Sequence, residues 1–481
     1  MFETSFLLFI KALFYNIILP LIPGILFLWI FFGKKFYGIL LYLLWWFVGV
    51  GVVSFSLFNL QFIRFGIGIS EYFLVLWILL IVFVGKILYK KLIFKEYFFT
   101  LKIKNIFFQI KDLFLSLSQI EIIFTFVCGI LWIFFLVISF VHTTNFPTYA
   151  DDSFGNWNGP AYNIYQDGGI KVFWNKSEIL GRGRIGYPIF IPLYKSTISQ
   201  FMWWFNDIYI NMWQRLVLFG MMLFVFTITF AKTKNIFYSV LPIGLIVALP
   251  LVFFHSVEGY MELPCAVYSI LTIWAFWKFL EEKDYSYIAL ALLLGFILSH
   301  IKYDWLLWYF VWIVISFTII LVITKQLNKF LLWFWKNTSK IYSSFFYFIF
   351  FLLPFLIVRS INNLWLNPAE VEKWWIWLSQ VTHWEIFSVF PSIFMKMDNY
   401  NSIVIIILLI VWFLYTQKKN FNKYFLFLSW IIIFIIFILV FLLTENYLWV
   451  MNQTTVNRVF TMCFVMILSF SGILLYNHHD E

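Results

Sequence analysis

Apolar runs of about 20 residues, the length that crosses a ~30 Å hydrocarbon core, recur along this chain from end to end. Nothing else in the sequence limits its fold as strongly. Water gives a chain no means of covering so many such runs. In lipid, only helices and closed barrels satisfy every backbone polar group. A barrel would show short alternating segments instead of long continuous ones. The chain therefore reads as an all-α membrane protein, with 63% hydrophobic and only 12% charged residues among its 481.

The runs predict about 13 spans. Three come first, near 6–32, 36–58 and 70–88. Others follow near 120–141, 212–231, 236–254, 262–280, 285–300, 303–324, 342–360, 401–416, 424–443 and 457–475. The first is long and leads straight into the next, so it reads as retained and not as a cleaved signal. Residues 89–119 are basic, with Lys90, Lys91, Lys95, Lys102, Lys104 and Lys111. Apolar residues recur there at helical spacing (Ile103, Ile106, Phe107, Ile110, Leu113), the pattern of an amphipathic helix on an anionic leaflet. The expected organisation is thus 1–119 as three spans plus this segment, 120–475 as the core, and 476–481 as a polar tail. Two long loops, 142–211 and 361–400, interrupt the core.

Placing the basic segment in the cytoplasm puts 20 of the 33 Lys and Arg on that side. Many of the others lie in the long loop 142–211, and long loops weigh less in the positive-inside rule. The N-terminus and both long loops then face outward. The net charge of +10 is explained by these basic connectors and needs no nucleic acid, for which no soluble basic module is present. Cys128, Cys265 and Cys463 lie in or beside apolar runs with no metal spacing, and read as packing residues.

This orientation gathers the unusual polar residues on the outer side: Asp151 and Asp152, Glu258 and Glu262, His300, Lys302 and Asp304, Arg359, and Glu445, Asn457 and Arg458. Asp151 and Asp152 follow a long apolar run, where a carboxylate is costly to desolvate. They suit a general base, a metal or amine holder, or a cap for the next helix. Glu262, in Gly259-Tyr260-Met261-Glu262-Leu263-Pro264, is either a second acid or a carboxylate favoured by a helix N-terminus. Lys302 is suited to neutralising a phosphate, or else to a local salt bridge or snorkelling. Arg458 holds a phosphate well with its planar fork, or anchors the interface. His300 reads as a boundary polar residue, since no second His has metal-site spacing. The loop 142–211 is rich in aromatics, among them Trp157, Tyr162, Tyr165, Tyr187, Trp203 and Trp204. Its pieces from Trp157 to Tyr165 and from Tyr187-Pro188 onward read as helices lying along the membrane.

In this order, the outer Asp pair with Trp157, Tyr187-Pro188 with Pro192, Gly-Tyr-Met-Glu262-Leu-Pro, Lys302-Tyr303-Asp304 and a late Arg458 resemble the GT-C superfamily of polytopic membrane glycosyltransferases. The nearest likeness is to prokaryotic members related to protein O-mannosyltransferases and aminoarabinose transferases. It covers roughly residues 120 to 475, and no single motif in it is specific. The resemblance implies Asp151 or Asp152 as catalytic base, Glu262 and Asp304 as acidic partners or acceptor-binding groups, and Lys302 and Arg458 as ligands of the donor phosphate. Trp157 and Tyr187 would belong to the substrate loop. It further implies a sugar donor on a polyprenyl phosphate and a glycan, lipid or protein acceptor. The active site would face outward from a prokaryotic cell membrane. No cofactor is implied with certainty; a divalent metal is compatible, but no ligand cluster for one is visible. Glu262 stands where relatives commonly have Asp. Two rival readings remain: a lipid-sugar flippase or transporter, and a polysaccharide polymerase or ligase. The second would use loop 361–400, with Glu370, Glu372, Lys373, His383 and Glu385.

Overall fold

The computed structural model describes residues 2–32, 39–62, 66, 68–94, 117–146, 153–169, 188–302, 311–323, 325, 327–336, 388–389, 407, 410, 421–443 and 456–476. Among them every regular element is a helix. Six helices are long and apolar enough to cross a membrane, and a seventh span results if one bent pair counts as one. The spans expected near 342–360 and 401–416 lie almost wholly outside the described residues, as do most of 89–119 and 361–400.

The chain opens with α1 (Phe2–Phe32), α2 (Ile39–Phe62) and α3 (Ile69–Phe94). Glycines let α1 and α2 touch backbone to backbone. A Cβ on Gly49 would run into the Pro20 carbonyl, and one on Gly24 into the Trp45 carbonyl. Gly49→Ala is therefore expected to destabilise the protein by about 1–3 kcal/mol, because neither wall can yield. Gly85→Ala on α3, where nothing lies within 4 Å, is expected to be neutral or slightly stabilising. Thermal unfolding of the two variants in detergent, compared side by side, checks this contrast in sign.

Next comes α4 (Gln119–Asn145), which starts with a reciprocal cap. The Ser118 Oγ accepts from the Glu121 N–H at 3.4 Å, and the Glu121 carboxylate accepts from the Ser118 N–H at 2.8 Å. A π-helical turn, Phe154–Asn158, runs into α5 (Gly159–Asp167). Then follow α6 (Phe190–Met202), the short α7 (Asp207–Ile210) and α8 (Met212–Thr233). The loop 142–211 thus contains helices, as its aromatic content led one to expect. Of these, α6 is buried on nearly every side, whereas α5 buries Pro160, Ala161 and Ile164 and exposes Tyr162.

The run near 236–254 is two helices, α9 (Ile236–Val247) and α10 (Pro250–Val257), meeting at 75°. Pro250 is the cause. Its ring disfavours a helical Leu249, which sits at φ −92°, ψ 107°. Beyond it lie α11 (Glu262–Glu282), α12 (Tyr285–Ile301), α13 (Val311–Ile323), α14 (Leu327–Lys336) and α15 (Phe421–Leu443). The last run is broken as well, into α16 (Val456–Ser469) and α17 (Ser471–Leu475). Gly472 lies against the Tyr238 carbonyl of α9, an approach that any Cβ would prevent.

The core is built around α11, whose Leu263, Tyr268, Trp274 and Trp277 are buried. It packs against α8, α12, α15 and α16. The core is continuous with α1 and α2, and α2 also contacts α6, α8 and α12. By contrast, α3 and α4 present large apolar side chains outward, including Trp77, Ile81, Phe126 and Ile133. Such faces suit acyl chains and would be untenable in water.

Candidate active site

The start of α11 needs an abrupt reversal after α10, and Gly259 supplies it. Its φ of +81° is a conformation that side chains rarely adopt. A Cβ there would also press on Ser153 Oγ at 3.1 Å and Asn211 Nδ2 at 3.4 Å. The reversal puts Glu262 at the first helical position of α11, where free backbone N–H groups favour a carboxylate.

Two cations from distant parts of the chain meet this carboxylate. Lys302, where α12 ends in an extended residue, brings Nζ to 3.2 Å from Glu262 Oε1. Arg458, in the first turn of α16, brings a guanidinium nitrogen to 4.0 Å from the same oxygen. The Glu262 side chain is 3% exposed, whereas those of Lys302 and Arg458 are 15% and 17% exposed. The acid is thus the floor of the cluster and the cations are its rim. The Arg458 guanidinium also stacks over Tyr260, 4.6 Å from the ring centroid. His255 lies behind, its ring 5.2 Å from that of Tyr260, fully buried and with neither ring nitrogen hydrogen-bonded among the described residues.

A frame of hydrogen bonds fixes the turn that carries Glu262. Ser153, the residue after the aspartate pair, donates its hydroxyl to the Glu258 carbonyl. Gln214 Nε2 donates to the Tyr260 carbonyl at 3.0 Å. The buried Arg215 donates to the carbonyls of Ser139 (3.1 Å), Asn211 (2.8 Å) and Val257 (3.2 Å). It thereby joins α4, the start of α8 and the end of α10. On α6, Lys195 is 0% exposed and donates to two amide oxygens, Asn158 Oδ1 at 2.8 Å and Asn211 Oδ1 at 2.6 Å. Burial pushes its amine down to about 7, with Asp207 opposing the shift and Arg215 adding to it.

Of the residues singled out from the sequence, Glu262, Lys302 and Arg458 come together. Lys302 reaches Glu262 across 40 positions of sequence, and Arg458 turns inward to Tyr260 and Glu262. Trp157 is buried in the π-helical turn. Asp151, Asp152, Tyr187 and Asp304 lie outside the described residues. His300 packs against Phe55, Phe190 and Phe296, and its Nδ1 is 2.9 Å from both Ser299 Oγ and the Phe296 carbonyl. Among the described residues no group of three or more His, Cys, Asp or Glu is arranged to hold a metal ion.

Sequence reasoning missed Lys195, Asn158, Asn211, Gln214, Arg215 and His255. A signal existed for two of them. Lys195 interrupts an otherwise apolar helical face, and Arg215 stands four residues into an apolar run, where a charge is expensive unless it is held.

Fold and site together define a multi-pass helical membrane protein with an acid and two bases gathered at one end of its bundle. Comparison with known protein families, with characterised proteins and with solved structures finds no match to this chain.

Proposed function

We propose that this protein is a membrane glycosyltransferase that moves a sugar from a polyprenyl-phosphate donor to a glycan, lipid or protein acceptor at the outer face of a prokaryotic cell membrane. The observation that carries this reading is the convergence of Lys302 and Arg458 on Glu262, with both cations on the exposed rim. In this mechanism the acceptor oxygen or nitrogen bonds to the anomeric carbon, and the bond from that carbon to the phosphate oxygen breaks. The phosphate leaves with the electron pair, and Lys302 and Arg458 meet its charge. Glu262 keeps the two cations in place. The acceptor proton passes to Asp151 or Asp152, which Ser153 tethers by sequence to the Glu258 turn. Displacement in one step inverts the anomeric carbon.

The test uses the full chain in liposomes with a radiolabelled polyprenyl-phosphate hexose or pentose and cell-envelope acceptors. The wild type is expected to transfer the label and release polyprenyl phosphate. A general base contributes about 10²–10⁴-fold, so the Asp151→Asn/Asp152→Asn double variant is expected to be slower by that factor. Full activity in both single variants and in the double one would remove the base role. A second reading, a lipid-sugar flippase, is favoured by the 75° break between α9 and α10, because broken helices are common in transporters. Movement of the labelled lipid across the bilayer without any transfer would select it.

A further inference from the structure

The amine of Lys195 joins α6 to the π-helical turn through Asn158 and to the start of α8 through Asn211. Asn158 closes the π-helical turn that begins two residues after Asp152. Asn211 opens α8, and the next helical turn supplies Gln214 and Arg215. Those two side chains hold the carbonyls of Tyr260 and Val257, on either side of the reversal into Glu262. An unbroken series of contacts therefore runs from the turn beside the aspartate pair, through Lys195, to the carboxylate that organises Lys302 and Arg458. A lysine with no exposure and two neutral amide partners is an expensive arrangement, which a leucine or methionine would avoid if only packing were required.

We propose that Lys195 is a positioning residue, clamping the turn after the aspartate pair to the start of α8 through Asn158 and Asn211. It deepens the transferase reading, since its kinetic consequence rests on that reading while its structural consequence does not. The clamp holds the π-helical turn against the start of α8, whose Gln214 and Arg215 in turn hold the reversal into Glu262. Misplacing reacting groups by about 1 Å costs on the order of 10²-fold in rate. The clamp touches neither substrate, so its loss falls on turnover and not on donor affinity.

Two measurements on the full chain in detergent or liposomes test it. Hydrogen–deuterium exchange reads the backbone of residues 153–158 in the wild type, Lys195→Met, Asn158→Leu and Asn158→Asp. Exchange there is expected to speed up at least about tenfold in the first two variants, since a buried tether is lost. It should stay near wild type in Asn158→Asp, which keeps an acceptor oxygen. That variant replaces Nδ2, which has no hydrogen-bond partner among the described residues, by a second acceptor oxygen, and its carboxylate gives Lys195 a charged partner. Transfer kinetics per folded molecule should show kcat lowered about 10–100-fold with donor KM within about twofold in Lys195→Met and Asn158→Leu, and kcat largely restored in Asn158→Asp. If Lys195→Met does not fold, Asn158→Leu, which leaves Lys195 and Asn211 in place, carries both measurements. Unchanged exchange over 153–158 would overturn the clamp whatever the activity does. Faster exchange with unchanged kcat would overturn the positioning role and leave Lys195 as a structural residue. Absence of transfer by the wild type would overturn the transferase reading and with it the positioning role in transfer, while the exchange comparison would still decide on the clamp.

Discussion

A chain carrying Lys302→Met and Arg458→Met together is expected to transfer sugar at least ~10²-fold more slowly than wild type, with the donor KM raised. Hydrogen bonds to charged groups contribute about 1.5–3 kcal/mol each, and in the proposed mechanism two are removed from the donor phosphate. The same variant should also lose stability, because both cations near the buried Glu262 carboxylate disappear. Stripping the partner from a buried charge costs about 3–5 kcal/mol. Activity lost through unfolding would mimic activity lost through binding, so the informative variant is the triple one with Glu262→Gln. Its neutral amide needs no counter-charge, and thermal stability should return most of the way. Transfer should not return, since nothing then meets the phosphate. Recovery of transfer along with stability would show that the two cations serve only to neutralise Glu262.

That trio also marks how far the sequence could be read. Long apolar runs placed several spans to within a few residues, as with α1, α3, α4 and α11, because crossing a bilayer imposes a length that hydropathy reports directly. The breaks were harder to see. Pro250 sits inside a run that is apolar on both sides, so hydropathy passes over the bend, although the proline's effect on Leu249 was available as a signal. Charge alternation grouped Glu262, Lys302 and Arg458 on one side before any distances were known. What it could not supply was the frame beneath them. Lys195, Asn158 and Asn211 come from three separate helices or turns, and only their packing makes an amine and two amides into partners. The burial of Trp157 was equally hidden, because composition shows an aromatic near a boundary but not the neighbours that enclose it.

Arg215→Met is expected to be among the most destabilising single substitutions in the molecule, by about 3–5 kcal/mol. The guanidinium is buried and satisfies the carbonyls of Ser139, Asn211 and Val257 at 2.8–3.2 Å. Methionine fills a similar volume, so the loss comes from hydrogen bonding and not from a cavity. A buried acceptor left unsatisfied costs about 1–3 kcal/mol. The Asn211 carbonyl keeps the Gln214 N–H at 3.1 Å as a donor, and relaxation recovers part of the remainder. Glu258, also buried and close enough to act electrostatically on Arg215, loses a favourable neighbour as well. Arg215→Lys should recover only a fraction, because a single ammonium cannot reach three carbonyls on α4, α8 and α10 as a planar fork does. Denaturant unfolding of both variants in micelles measures the effect. A loss below about 1 kcal/mol in Arg215→Met would mean that these carbonyls find other donors at once. The expected result has a consequence for the site. The Val257 carbonyl lies five residues before Glu262, so loosening it releases the reversal that Gly259 makes possible. Transfer should therefore fall in Arg215→Lys even at temperatures where that variant remains folded.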